Sequence, residues 1–183
     1  MVDAIRAGDR YAFEELVRRE DRWVRGVIFG VLGNYDGVDD VAQQVWLAVW
    51  QRISELRDPK RWRPWLYRLT RNAAIDAGRG VTRQRGQTQA LVFGAPRRPS
   101  ETAPEGGLAS EERHGVVLAA IRALPALYRE PFVLRHLNDW SYQQIAEVMG
   151  MPVDSVETRL VRARRLLRGA LQEKLGWSHD TRK

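Results

Sequence analysis

From Gly80 to Glu112 the chain carries Gly94, Pro96, Pro99, Pro104, Gly106 and Gly107 in a mostly polar stretch without a hydrophobic period. A core cannot run through such an interruption, because a helix or strand buries a face only where apolar residues recur at its own period. The 183 residues are therefore expected to form two small helical domains, residues 1–80 and 113–177, joined by a flexible linker at 81–112. No stretch alternates with period two over a useful length, so the expected fold class is all-α.

In the first module Asp9 is a good N-cap for a long helix carrying Phe13, Leu16, Val17, Trp23, Val24, Val27, Ile28, Val31 and Leu32, and Gly33 with Asn34 stops it. A second helix, beginning near Asp39, places Val38, Val41, Ala42, Val45, Val49 and Ile53 on one stripe. Asp40, Gln43, Gln44 and Leu47 fall on another. A third is expected from Pro64 to about Arg79, where Gly78 and Gly80 weaken it. Arg68, Arg71, Asn72, Ile75 and Arg79 share one of its faces, and Leu66, Leu69 and Ala73 face the core. Trp65 and Tyr67 read as packing residues.

Helical periodicity returns at Val116, Val117, Ala120, Ile121 and Leu124, pauses at Pro125, and resumes through Phe132, Val133, Leu134 and Leu137. Ser141 and Gln144 then form an S-x-x-Q capping box, Gly150 supplies a left-handed end, and Pro152 cannot continue the helix. Asp154 with Glu157 reads as a D-x-x-E cap for the next one. Two helices and a tight turn within some twenty residues make a helix-turn-helix. On its second helix Val156, Leu160, Ala163, Leu167 and Ala170 face the core, and Ser155, Thr158, Arg159, Arg162 and Arg165 lie opposite. Such a face fits the major groove of DNA, where arginines hold phosphates or read guanine.

Charge agrees with a polyanionic partner. Residues 113–183 hold 12 basic and 7 acidic side chains, so +5 of the net +7 lies there. The absence of cysteine excludes disulfides, thiolate zinc sites and a cysteine nucleophile. No segment resembles a signal peptide or reaches the ~20 apolar residues of a membrane span. The expectation is a cytoplasmic protein with no membrane insertion, no metal and no cofactor.

These residues carry a resemblance. LPALYREPFVLRHLNDWSYQQIAEVMGMPVDSVETRLVRARRLLR resembles region 4 of the extracytoplasmic-function (ECF) sigma factors, the compact branch of the bacterial sigma-70 family. DDVAQQVWLAVW is similar to the D-x-x-Q-E-x-F-L pattern of the family's region 2, and WRPWLYRLTRNAAID to its W-L-Y-R-I-A-R-N pattern. The resemblance implies a promoter-specificity subunit of RNA polymerase that performs no catalysis. It assigns Asp40, Gln43 and Gln44 to the clamp helices of the polymerase largest subunits, with Gln44 standing where the family usually carries Glu. The flap region of polymerase is implied as a further contact. Arg57, Lys60, Arg61, Trp62, Arg63, Arg68, Arg71, Asn72 and Arg79 correspond to the part that opens promoter DNA at the −10 element, where basic side chains among aromatics suit a single strand. Ser155, Thr158, Arg159, Arg162 and Arg165 correspond to the reader of the −35 element. Glu157, where Lys or Arg is common in the family, either caps the helix or reads a cytosine amino group. An anti-sigma factor covering both modules is an expected partner.

The linker length allows a check on this role. Promoter elements more than two helical turns apart are separated by ~70 Å or more, and a 33-residue connection reaches ~110 Å when drawn out. Two other readings remain at the level of sequence. A stand-alone helix-turn-helix regulator would dimerise on a palindrome without polymerase. An enzyme acting on nucleic acid lacks its signals, since His114, His136 and His179 lie far apart and adjacent Asp39 and Asp40 point in different directions on a helix.

Overall fold

In the computed structural model the first module opens with a short helix, α1 (Val2–Arg6), and Asp9 then caps the long α2 (Arg10–Leu32) by accepting the Ala12 N–H at 3.1 Å. Gly33, at φ 76°, ends α2 in the left-handed region. The structure describes the backbone of residues 1–88 and 108–175 and the side chains of 1–79 and 115–173. The interruption between Gly94 and Gly107, and with it the expected linker's flexibility, lies outside the described residues.

α3 (Val38–Arg52) packs on α2 through Val38, Val41, Ala42, Val45 and Val49, which are all buried, as is Ile53 just beyond. Arg25 of α2 pairs with both Asp21 and Asp39, and Trp46 donates its indole N–H to Asp21 at 2.7 Å. Two 3-10 turns, Ile53–Glu55 and Pro59–Arg61, lead into α4.

α4 (Trp62–Thr88) departs from expectation at both ends. It starts two residues before Pro64 and continues through Gly78 and Gly80. A glycine costs a helix only about 1 kcal/mol, and the Arg, Gln and Thr residues that follow tolerate a helix without any apolar period. The second module likewise begins early, with α5 (Leu108–Ala123), followed by α6 (Ala126–Leu137), α7 (Tyr142–Met149) and α8 (Val153–Leu175). Helix thus occupies both ends of the stretch read as linker. Among the described residues every regular element is helical.

The helix-turn-helix forms from the bonds its sequence dictates. Ser141 Oγ accepts from the Gln144 N–H at 3.2 Å and the Gln144 side chain accepts from the Ser141 N–H at 2.8 Å. Gly150, at φ 65°, turns the chain, and Met151 N–H reaches back to the Ala146 carbonyl at 3.0 Å. The D-x-x-E cap is corrected: α8 starts at Val153, with the Pro152 carbonyl accepting from Ser155 and Val156, so Asp154 stands inside the first turn. There its charge faces the positive end of the helix dipole. Val156, Leu160, Ala163 and Leu167 are buried, and Ala170 partly so.

The modules are in direct contact. α6 lies across α2 and α7 rests on α4, with Trp140 against Trp23 at 5.1 Å between ring centroids. On α2, Gly26 and Gly30 permit this approach. A Cβ at Gly30 would stand 3.2 Å from the Glu130 Cα, and one at Gly26 would stand 3.2 Å from Val133 Cγ1 and 3.0 Å from Asn138 Nδ2.

Removing the capping hydroxyl orphans the Gln144 N–H at the start of α7, while the Ser141 N–H keeps its bond to the Gln144 side chain. Ser141→Ala is expected to lower stability by about 1 kcal/mol and Ser141→Asn to leave it nearly unchanged, measured by urea unfolding.

Candidate nucleic-acid interface

The first candidate surface grows from the two faces of α3. Burial of its valine stripe leaves Asp40, Gln43, Gln44 and Leu47 exposed on the opposite side. Gln43 lines an open groove of about 650 Å³ with Arg10, Phe13, Glu14, Trp46, Leu47 and Trp50. Leu47 is 57% exposed and Trp50 38%, and Trp50 meets Phe13 edge to face at 5.0 Å. An apolar floor with polar walls suits an amphipathic helix.

The second surface runs from the Pro59–Arg61 turn into α4. Asp58 caps the turn by accepting from the Lys60 N–H at 2.9 Å, and Arg57, Lys60 and Arg61 are exposed around it. Arg68, Asn72 and Arg79 are exposed along α4, Arg79 facing Asp76 at 3.7 Å. Trp62 is half-buried.

Two expected members of this surface are engaged by the second module. Arg63 lies over Trp62 at 5.2 Å and over Trp140 at 6.0 Å, and it faces the buried Glu20 carboxylate at 3.8 Å. Arg71 is paired with Glu130 of α6, its Nε donating at 2.8 Å and Nη2 at 3.3 Å. That bond raises the guanidinium's pKa despite partial burial. Tyr67, buried as expected, donates its hydroxyl to the same carboxylate at 2.9 Å. Burial first, and then the charge of Glu130, push its ionisation far above the usual tyrosine range.

Beside Glu130, Arg129 turns the other way. Its guanidinium donates to the carbonyls of Gly30 and Val31 at 2.8 and 3.0 Å and to those of Arg122 and Leu124 at 2.6 and 2.9 Å. One cation thereby satisfies the carbonyl ends of α2 and α5, both negative poles of helix dipoles. Burial lowers its pKa.

The third surface is the outward side of α8. Glu157, Thr158, Arg162 and Arg165 are exposed, and Ser155 and Arg159 are half-buried at the rim. No ion pair among the described residues engages Arg159, Arg162 or Arg165, so their charge faces solvent un-neutralised. Val161, 53% exposed, lies with Asp154, Glu157, Thr158, Arg162 and Arg165 around a shallow cleft of about 430 Å³. Among the described residues no His, Cys, Asp and Glu side chains gather as a metal site, and no helix is long and apolar enough to cross a membrane.

Comparison with known proteins decides what carries these surfaces. The family model described as Sigma-70 region 2 matches residues 16–84, and that described as Sigma-70, region 4 matches residues 114–167. The chain belongs to the ECF sigma factors of the sigma-70 family. It is 29% identical to an ECF RNA polymerase sigma-E factor of Haemophilus influenzae, covering 94% of each chain. With the ECF sigma factor SigW of Bacillus subtilis it shares 26% identity over 94% of this chain and 95% of the relative. A solved structure of CnrH in complex with the cytosolic domain of CnrY is 26% identical and superposes with a TM-score of 0.67 over 94% of this chain and 95% of that one. The sigma factor RpoE of Bartonella quintana, solved with the anti-sigma factor NepR, shares the fold, with a TM-score of 0.66 at 18% identity over 88% of this chain and 97% of that one. The sigma factor directs RNA polymerase to promoters and is not an enzyme, which removes the stand-alone regulator and the nuclease-like readings.

Sequence reasoning missed the residues that join the sigma factor's two modules. Arg129 and Glu130 are polar residues inside an apolar helix pattern, and only pairing with a distant partner explains their burial. Gly26 and Gly30 carried a usable signal, four residues apart on one helical face. Val161 was passed over because an apolar residue among arginines reads as noise.

The Tyr67 hydroxyl supplies a pH dependence. Its pKa is raised by folding above the unfolded value near 10, so its contribution is present below about pH 10 and declines as pH rises further. The stability gap between the wild type and Tyr67→Phe, from urea unfolding, is expected to narrow between about pH 9 and about pH 11, and a constant gap would contradict the assignment.

Proposed function

We propose that residues 1–80 dock on polymerase and open the −10 element, that residues 113–177 read the −35 duplex, and that 81–112 connect them. The un-neutralised basic face of α8 carries the reading. Thr158, Arg159 and Arg162 stand within its first three turns, the part of a recognition helix that reaches base edges, and Arg165 follows toward the phosphates. Val161 adds an apolar contact suited to a thymine methyl, and Glu157 beside it suits a cytosine amino group. Ser155, at the rim, is placed for a backbone phosphate.

On the first module, Gln43 lines the groove with Phe13, Leu47 and Trp50, and Asp40 and Gln44 are exposed on the same helix, which supports docking of the polymerase clamp helices there. Arg57, Lys60, Arg61, Trp62, Arg63, Arg68, Arg71, Asn72 and Arg79 form the basic and aromatic track for the separated −10 strand. The polymerase flap region is the expected contact of the second module. An anti-sigma partner is supported by the relative captured with another protein's cytosolic domain. The work takes place in the cytoplasm, where polymerase and chromosome meet.

Two substitutions separate these roles. Leu47→Asp is expected to weaken binding to core polymerase at least tenfold while leaving affinity for a −35 duplex unchanged. Arg162→Ala is expected to do the reverse, weakening duplex binding by about 1–3 kcal/mol if it reads a base, or reducing the salt slope by about one if it holds a phosphate. Binding titrations at several salt concentrations check both. Loss of polymerase binding in Arg162→Ala with duplex affinity intact would overturn the assignment.

A further inference from the structure

The sequence leaves Glu157 two roles, a helix cap or a contact with a base. The start of α8 at Val153 removes the first, because Glu157 then stands in the second turn, beyond the orphan N–H groups that a cap satisfies. No ion pair among the described residues engages its carboxylate. One turn before it lies Asp154, of like charge, so its own helix gives it no support. An exposed carboxylate on an otherwise basic face lowers the attraction for phosphates in general. It gains only where a particular base offers it a donor.

Val161 stands one turn further along. It is 53% exposed, whereas Val156, Leu160, Ala163 and Leu167 of the same helix are buried, so it serves no core. A single exposed valine needs no explanation on an ordinary surface. This one shares a shallow cleft with Glu157, Thr158, Arg162 and Arg165 on the outward side of α8. Duplex binding there strips water from it, and the base edge beneath decides whether that is a gain or a loss.

We propose that Glu157 and Val161 select the −35 sequence of this sigma factor, Glu157 by accepting the N4 amino group of a cytosine and Val161 by covering the methyl group of a nearby thymine. The inference rests on the assignment of α8 to the −35 duplex and names the bases that two of its side chains require. Cytosine presents its amino donor in the major groove with no acceptor beside it. Adenine places N7 next to its amino group, and guanine and thymine offer acceptors that repel a carboxylate. The wrong base therefore leaves Glu157 desolvated and unpaired, which is selection by rejection. Thymine alone carries a methyl group in that groove. Residues four apart on a helix lie about 6 Å apart along its axis, and stacked bases rise about 3.4 Å, so the two contacts fall within two base pairs of each other. Arg162 and Arg165 beside them restore the attraction for phosphate that the carboxylate removes.

The test uses holoenzyme, formed from the full chain and bacterial core polymerase, and a library of duplexes randomised through the −35 region upstream of a start that the protein directs. Wild-type holoenzyme is expected to retain sequences with a fixed C·G pair and, within two base pairs of it, a fixed T·A pair. Glu157→Gln is expected to change the cytosine to adenine and Glu157→Lys to guanine, since these side chains match the N6 and N7 edge of adenine and the O6 and N7 edge of guanine. Each change should alter relative retention about fivefold, with the other positions kept. At the thymine, replacement by deoxyuridine removes only the methyl group. It should weaken wild-type holoenzyme about fourfold and leave Val161→Ser unaffected. Both side chains are exposed, so the variants are expected to fold. An unchanged cytosine preference in both Glu157 variants would overturn the proposal, as would equal responses to deoxyuridine in wild type and Val161→Ser. In either case a retained −35 element that weakens with Arg162→Ala still leaves α8 as the duplex reader. If wild-type holoenzyme retains no upstream element at all, the reading of α8 falls and the proposal with it.

Discussion

The approach of α6 to α2 at Gly30 is the constraint on which the two-module arrangement depends. Only because a helix backbone can come within van der Waals range there does the Arg129 guanidinium reach the last carbonyls of α2. The same approach sets Glu130 on Tyr67 and Arg71, and brings Trp140 onto Trp23. A buried carboxylate and a buried guanidinium would each be costly alone. Here each is met by several partners from the other module, so neither module buries them favourably without its neighbour.

This coupling bears on how a small sigma factor avoids misuse of its charge. The basic face of α8 is open in the packed form, whereas part of the α4 track is covered. The open α8 face suits electrostatic encounter with duplex DNA, whereas on the proposed −10 track Arg71 is already paired with Glu130. The groove on α3 is lined by residues of α2 and α3 alone, so none of its walls comes from the second module.

Much of this was legible in the sequence, for reasons visible at particular residues. The valine stripe of α3, the Asp9 cap and the Ser141–Gln144 box are local signals, and local hydrogen bonds or periodicity realise each of them. Helix ends were less legible where no apolar period marked them, as at Gly78 to Thr88, since glycine only taxes a helix and does not forbid it. The Asp154 cap failed because the Pro152 carbonyl already starts the next helix two residues earlier. Arg129 and Glu130 could not be read at all, because their partners lie 59 to 99 positions away for the contacts that cross the modules. Motif spacing named the candidate site residues, but it could not show that Arg71 pairs with Glu130 and that Arg63 lies over Trp140 of the second module.

The division of labour between the two modules is tested most directly by mapping transcription starts on fragmented genomic DNA of the source organism, using bacterial core polymerase with and without the protein. The expected result is a set of starts that appear only with the protein and share two upstream elements, near −35 and −10. No new starts, together with a palindromic footprint made by the protein alone, would contradict it.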